Sequence, residues 1–311
     1  MMKTASVKVM PRKKFIQRIW RYRVAYALLL PGLLYFVVFH YLTYLGLSMA
    51  FMNFSPAKGI FHSQWVGFNN FIQLFSMSDF YKVFANTLII NVYKMIFYFP
   101  IPIIFALLLN EVSNSYFKKT IQAVTVFPNF LSWVVFGGMM LSFIVPGGPI
   151  AQLVSNLGLD GSTIATNSRY FRPLIVTTSI IKSFGFGSIV YLAALSGVNP
   201  SLYEAARIDG ANRWKQTLHI ALPGIRSTII LLFILEMGYM MDAGFEQIFV
   251  MYNPTVYDVA DIIDTYVYRM GLQNAQYSLA TALGLFKGVI SFLLIVVTNF
   301  VVKKMGEEAL W

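Results

Sequence analysis

Apolar residues in this chain fall in long unbroken blocks, not in the alternation of a half-buried strand. Six blocks stand out, at about residues 24–47, 83–109, 121–145, 173–196, 223–243 and 279–302. Each is close to the roughly 20 helical residues that cross a hydrocarbon core. Continuous rather than alternating apolarity favours helices over barrel strands. The pattern therefore predicts an all-α integral membrane protein with six transmembrane helices. The fifth block is the weakest, because Arg226, Glu236 and Asp242 interrupt it. The blocks divide the chain into a basic segment 1–23, a first span 24–47, a loop 48–82, a five-span core 83–302 and a tail 303–311. The first apolar run exceeds the roughly 7–15 residues of a signal-peptide core, so a retained signal anchor is expected, although Ser48, Met49 and Ala50 resemble a cleavage site.

Composition agrees: 57% of residues are hydrophobic and 12% charged, against about 25% charged in a soluble domain. There is no cysteine, which removes disulfides and thiolate metal sites. Net charge is +11, but its placement matters more than its sum. With the N-terminus inside, the inner segments hold sixteen basic residues and the outer ones only Lys58, Lys82, Arg169, Arg172 and Arg269. That bias predicts that both termini are cytoplasmic, and it makes lipid rather than nucleic acid the partner of this charge. Lys94, Lys182 and Lys287 remain inside spans. Such charges are unfavourable by about 2.5–3.5 kcal/mol on insertion scales, so they are expected to face protein or a wet cavity.

The two long outer segments are rich in aromatic residues. Residues 48–82 contain Trp65, Phe68, Phe71, Phe75 and Phe80. Residues 256–270 have helical apolar spacing and predict an interfacial helix with aromatic anchors; contact with an extracytoplasmic partner is the sharper alternative.

The longest inner loop is 197–223. Ser201 and Glu204 fit a capping box opening a short helix, Gly210 supplies a left-handed stop, and a second helix over about 211–221 leads to Pro223. Local chemistry leaves two readings open, a helical hairpin that only caps the bundle or a docking element. Trp214 favours docking mildly, since tryptophan is a preferred interface anchor.

Within this loop Glu204, Ala205, Ala206, Gly210, Ile220, Leu222 and Pro223 fall at the spacing E-A-A-x3-G-x9-I-x-L-P, which resembles the signature loop of bacterial ABC importer permeases. Further similarity runs almost end to end. Arg23, Pro31, Gly32 and Leu33, the Trp65–Phe71 stretch and Asn86-Thr87-Leu88 resemble the carbohydrate branch. Leu107–Glu111, Phe130–Val134, Tyr191–Leu195, Gly244–Phe249, Asp264–Arg269 and the final Leu310-Trp311 resemble the LplB-type polysaccharide and oligosaccharide permeases. The resemblance implies a type I importer fold in the bacterial cytoplasmic membrane. It implies a second homologous permease, two ATP-binding subunits and an extracytoplasmic solute-binding protein as partners, and a complex oligosaccharide, such as a uronate-containing fragment, as substrate. The seven loop residues would then couple to the ATPase.

The chain has no phosphate-binding loop, so ATP and magnesium are expected on a partner, and no cofactor on this chain. Serine-hydrolase and zinc-protease motifs are missing as well, and His40, His62 and His219 lack metal-ligand spacing. No catalytic or metal-binding residue is expected. For the substrate path, Tyr239, Asp242 and Glu246 are spaced to share a helical face, with Gln247 beside them. Their rival role is structural pairing with the interior lysines. An ion-coupled secondary transporter or channel is the runner-up function, disfavoured by the long inner loop and by the lack of internal repeats.

Overall fold

Apolar surroundings offer the backbone no outside hydrogen-bond partners, and helices answer that demand internally. The computed structural model describes residues 20–158, 161, 164–307 and 310. Lys3, Lys8, Arg12, Lys13, Lys14, Arg18, Asp160 and Trp311 lie outside the described residues. Helix α1 runs Arg23–Phe51. A two-residue hairpin follows, β1 Met52–Asn53 antiparallel to β2 Gln64–Trp65, then α2 Asn69–Ser76. Helix α3 is Ser78–Asn110, α4 Ser115–Val126, α5 Trp133–Ile144, α6 Pro149–Asn156 and α7 Ser168–Ser196. The hairpin helices are α8 Pro200–Ile208 and α9 Arg213–Gly224, followed by α10 Arg226–Gly238. Short helices α11 Phe245–Met251, α12 Tyr257–Ala260 and α13 Ile263–Tyr268 precede the last, α14 Tyr277–Lys304.

Five of these stretches are long and apolar enough to cross a membrane: α1, α3, α5 with α6, α7 and α14. A sixth span arises if α9 and α10, bent by 59° at Ile225, count as one. Alone, the 13 residues of α10 rise only about 20 Å.

Three expectations from the apolar pattern are corrected. The block 121–145 is not one helix. Pro128 sits in a 3-10 turn, Phe127–Phe130, Leu131 is extended (ψ 141°), and the Ser132 hydroxyl caps a fresh helix by accepting from Val135 N at 3.3 Å. The block 223–243 ends early. Gly238 closes α10, and Gly244 takes φ +87°, a left-handed conformation open to glycine. The segment 256–270 is not one helix, and its apolar side faces protein: it breaks at Asp261–Ile262, and Val256, Ala260, Ile262, Ile263 and Thr265 are fully buried. Apolar spacing alone did not distinguish a face turned to lipid from one turned to the bundle.

Helix α7 is the axis of the packing, with α3, α4 and α12 against it. Towards the hairpin end, Ile103 and Ala106 of α3 meet Tyr191 and Leu195 of α7 and Ala221 and Ile225 at the bend. At the opposite end, Ile90, Phe171 and Ile175 enclose Ala243, Ile248, Met251, Val256, Ala260 and Ile262. Helix α14 packs on α10, α13 and α2. Helix α1 stands apart: none of residues 23–41 is buried. Only its last turns reach α14, and there the buried Asn70 amide donates to Ala50 O (2.8 Å) and Met52 O (2.9 Å).

Candidate functional site

Two places bring the chemistry-bearing residues together, the hairpin and a polar cleft inside the bundle. In the hairpin the expected capping box is not formed. Asn199 caps α8 instead, its Oδ1 accepting from Ser201 N at 3.0 Å, because Pro200 occupies the first helical position and has no donor of its own. Gly210 has φ +75° as its stop role requires, and Asn212 caps α9 through Lys215 N at 2.9 Å. Proline 223 removes a donor from the next turn, and the backbone widens to a π turn over Thr217–Ala221.

The outer face of this hairpin is open. Ile208 is 87% exposed and Leu202 52%, while Glu204, Ala205 and Gly210 are also exposed. A cleft of 810 Å³ separates α8 from the end of α3 and is lined by Glu111, Tyr203, Glu204, Arg207 and Arg213 among others. Arg213 spans it, donating to Glu111 O (3.1 Å) and pairing with its carboxylate at 3.4 Å. On the inner side Leu222 is partly buried against the core, and Ala221 and Ile225 are the fully buried anchors. Pro223 is exposed and Ile220 half-buried. The anchors escaped sequence reading because only the bend at Ile225 turns them inward.

The second site is a cleft of 270 Å³. Helix α3 supplies Asn91, Lys94 and Tyr98, one helical face whose last two members flank a π turn, Lys94–Tyr98. That turn exists because Pro100 and Pro102 cannot donate; Phe99 N reaches back to Lys94 O at 3.1 Å. Helix α7 adds Ser179 and Ser183, the start of α5 adds Trp133, and α10 adds Glu236. Tyr239, Asp242 and Gly244 come from the loop after α10, and Gln247 from α11.

The expected helical face over Tyr239, Asp242 and Glu246 is not present, since α10 has already ended. Tyr239 and Asp242 share the cleft, whereas Glu246 is exposed and does not line it. Gln247 lines the cleft but its amide is saturated. Its nitrogen donates to Ile175 O (2.7 Å) and Thr178 Oγ1 (2.9 Å), and its oxygen accepts from Ser179 Oγ (2.9 Å) and Lys94 Nζ (3.1 Å). Asn91, Tyr98, Ser179 and Ser183 were not singled out by sequence. The i, i+3, i+7 spacing of Asn91, Lys94 and Tyr98 was the available signal.

The interior lysines are answered in three ways. Lys94 donates to Ala243 O (2.8 Å) and Gln247 Oε1. Lys182 donates to the carbonyls of Pro128, Asn129 and Leu131, at 3.2, 3.0 and 2.6 Å, and lies over the Trp133 ring at 5.3 Å. It thereby closes the break between α4 and α5. Lys287 pairs with Asp264 and, at 3.8 Å, with Asp242. Burial pushes the Asp264 carboxyl above its ordinary range, with Lys287 opposing. Asp242 also lines a 590 Å³ groove with Phe245, Asp264, Tyr268 and Tyr277, so the two cavities meet at this carboxylate.

At the end away from the hairpin, Asn86 donates to Asp258 O and Asp261 O, each at 3.0 Å, and accepts from Arg172 at 2.7 Å. Thr87 Oγ1 accepts from Ile263 N at 3.0 Å. The buried segment 256–263 is pinned there.

Residues 99–307 match the family described as the binding-protein-dependent transport system inner membrane component. The polygalacturonan/rhamnogalacturonan transport system permease protein YteP of Bacillus subtilis is 40% identical, over 96% of this chain and 94% of its own length. Protein LplB of the same organism is 44% identical over 92% and 90% of the two chains. Among solved structures, a chain of a bacterial ABC transporter involved in import of the acidic polysaccharide alginate is similar with a TM-score of 0.85 at 38% identity, covering 94% of this chain and 99% of that one. A second crystal structure, of the bacterial alginate ABC transporter in complex with an alginate pentasaccharide-bound periplasmic protein, is similar with a TM-score of 0.85 at 37% identity.

Proposed function

The chain belongs to the family of binding-protein-dependent transport inner membrane components, multi-pass proteins of the bacterial inner membrane, and on that premise we propose that it is the permease subunit of an ATP-driven importer of a complex oligosaccharide or polysaccharide fragment. It crosses the membrane six times, α9 with α10 counting as one bent span, and both termini are cytoplasmic. The basic segment 1–23, first span 24–47, outer segment 48–82, core 83–302 and tail 303–311 keep those roles. A sister permease completes the pore. An extracytoplasmic binding protein delivers the sugar, as the alginate neighbour's complex with its periplasmic protein suggests by likeness. Two ATPase subunits bind ATP and magnesium, and this chain performs no catalysis and carries no cofactor.

The observation that carries this reading is the hairpin. Its outer face exposes Leu202, Ile208 and Glu204, while its inner end is locked into the core at Ala221 and Ile225. Apolar side chains left open beside charged ones are what a protein interface uses. Glu204, Ala205, Ala206 and Gly210 form the contact, with Ile220, Leu222 and Pro223 carrying its movement into α10. Closure of the ATPase pair then exchanges two packings of the bundle, the discrete switching expected of tightly packed elements. The sugar path runs past Tyr239 and Asp242, with Glu246 and Gln247 at its border.

Affinity purification of this chain from its native host tests the assignment. A sister permease and an ATPase are expected to co-purify in membrane extracts, and cells lacking the chain are expected to lose uptake of oligosaccharide. Recovery of the chain alone together with undiminished uptake in the deletion strain refutes it.

A further inference from the structure

We infer that Lys94 and Glu236 are opposite poles of a subsite for one pyranose ring, gripped through its hydroxyl groups and not through a carboxylate; this rests on the transport reading above. Both residues line the 270 Å³ cleft, from α3 and α10. They are near enough to interact electrostatically, yet neither makes an ion pair among the described residues. Opposite charges in a low-dielectric interior gain most by direct contact. Here the cleft keeps them apart.

Lys94 is fixed from behind. Ala243 O and Gln247 Oε1 take two of its three ammonium N–H groups, and the third is left for a ligand. The Glu236 carboxylate, when ionised, can only accept. A ring carrying neighbouring hydroxyls answers both at once, with one hydroxyl oxygen accepting from Lys94 and another hydroxyl donating to Glu236. Trp133 lines the same cleft and offers an apolar face for the ring's C–H side. The Lys182 ammonium, which lies over the Trp133 ring, is already held by the carbonyls of residues 128, 129 and 131.

Charge decides between a hydroxyl and a carboxylate. The cleft holds Lys94 against Glu236 and Asp242, and Asp242 shares Lys287 with Asp264. Of the charged groups lining the cleft itself, two are carboxylates and one is an ammonium. A uronate would add a further negative charge, whereas a hydroxyl adds none and both donates and accepts. Selection for acidic sugars then falls to the other subunits.

The test uses the assembled importer with its binding protein in proteoliposomes. They are offered a partial pectin hydrolysate containing neutral and galacturonate oligosaccharides, and the sugars taken up are read by mass spectrometry. Glu236→Gln, which keeps size and removes charge, and Lys94→Met are each expected to lower uptake by about tenfold or more, as losing a hydrogen bond to a charged group does. Neutral and acidic sugars should fall together, with ATPase co-purification unchanged. Glu236→Asp, which retracts the carboxylate by one methylene, should fall between. Uptake within about twofold of the unmodified importer in Glu236→Gln overturns the inference, since tenfold is what one charged bond commands. Loss of acidic sugars alone in Lys94→Met also overturns it, by making Lys94 a carboxylate reader. Lack of any uptake by the unmodified importer overturns the transport reading itself.

Discussion

A charge inside an apolar bundle is unfavourable until another group answers it, so each interior lysine reports what faces it. Lys287 is answered by Asp264, whose second carboxylate oxygen is buried without a hydrogen-bond partner. Replacing Lys287 by Met removes the only direct cation from that carboxylate among the described residues. A cost of about 3–5 kcal/mol is expected, as for breaking one side of a buried pair, read as a lower melting temperature in detergent. The variant also fixes a sign. Asp264 already sits above its ordinary range through burial, and without Lys287 it rises further. A carboxyl whose folded value is raised favours the folded state when protonated, so stability falls as pH climbs from the unfolded value through the folded one. The variant should therefore regain melting temperature as pH is lowered toward about 5, near the carboxylate range. Sequence reading located all three lysines and their need for partners. Which partner each found was hidden, because Lys182 turned to backbone carbonyls at residues 128–131, which carry no side-chain signal.

At the level of elements, what matters is where helices stop. Pro128 with Ser132 and Gly238 with Gly244 each interrupt a run that hydrophobicity alone reads as continuous, and Pro100 with Pro102 widen α3 to a π turn without ending it. These interruptions deliver Trp133, Asp242 and Lys94 to one cleft. Helix contacts set the second constraint. At Gly185 of α7, an added Cβ would lie 2.3 Å from Thr125 O of α4, and backbone cannot yield there. Gly185→Ala is expected to force α4 and α7 apart at a cost of about 1–3 kcal/mol, seen as loss of thermal stability. A melting temperature equal to the parent's would mean that α4 is loosely attached. Asn86 and Thr87 of α3 were visible as a motif. Their work, holding a segment 170 and more residues distant, was not, since hydrogen bonds between remote segments leave no local pattern.

For the whole molecule, the hairpin lies in the stretch that matches the family, residues 99–307, whereas the cleft draws Asn91, Lys94 and Tyr98 from just before it. Helix α1 lies before it and buries nothing along residues 23–41. Ala221 and Ile225 join the hairpin to α3, α7 and α10, helices that line the cleft, and Arg213 adds a second link to Glu111. Two substitutions examine that route. Gly210→Val places a β-branched residue at φ +75°, strained by about 1–3 kcal/mol. Glu204→Lys reverses an exposed charge on α8. Both should leave membrane insertion and abundance intact while abolishing uptake and weakening ATPase co-purification. Normal uptake at parental abundance in both variants would show that the hairpin merely caps the bundle.

Hydrophobic blocks, basic-residue bias and the Glu204–Pro223 spacing are properties of the linear chain. They sufficed for a helical membrane protein, its family and the hairpin with its Gly210 stop, because solvent preference and turn chemistry act locally. The cleft is different in kind. Its residues come from α3, α5, α7, α10 and α11, and it forms only where broken helices turn toward one another. The same folding removed Glu246 from the cleft and used up the hydrogen bonds of Gln247. Tertiary structure decided which charges meet, since contact in a buried interior is set by packing across the chain and not by spacing along it.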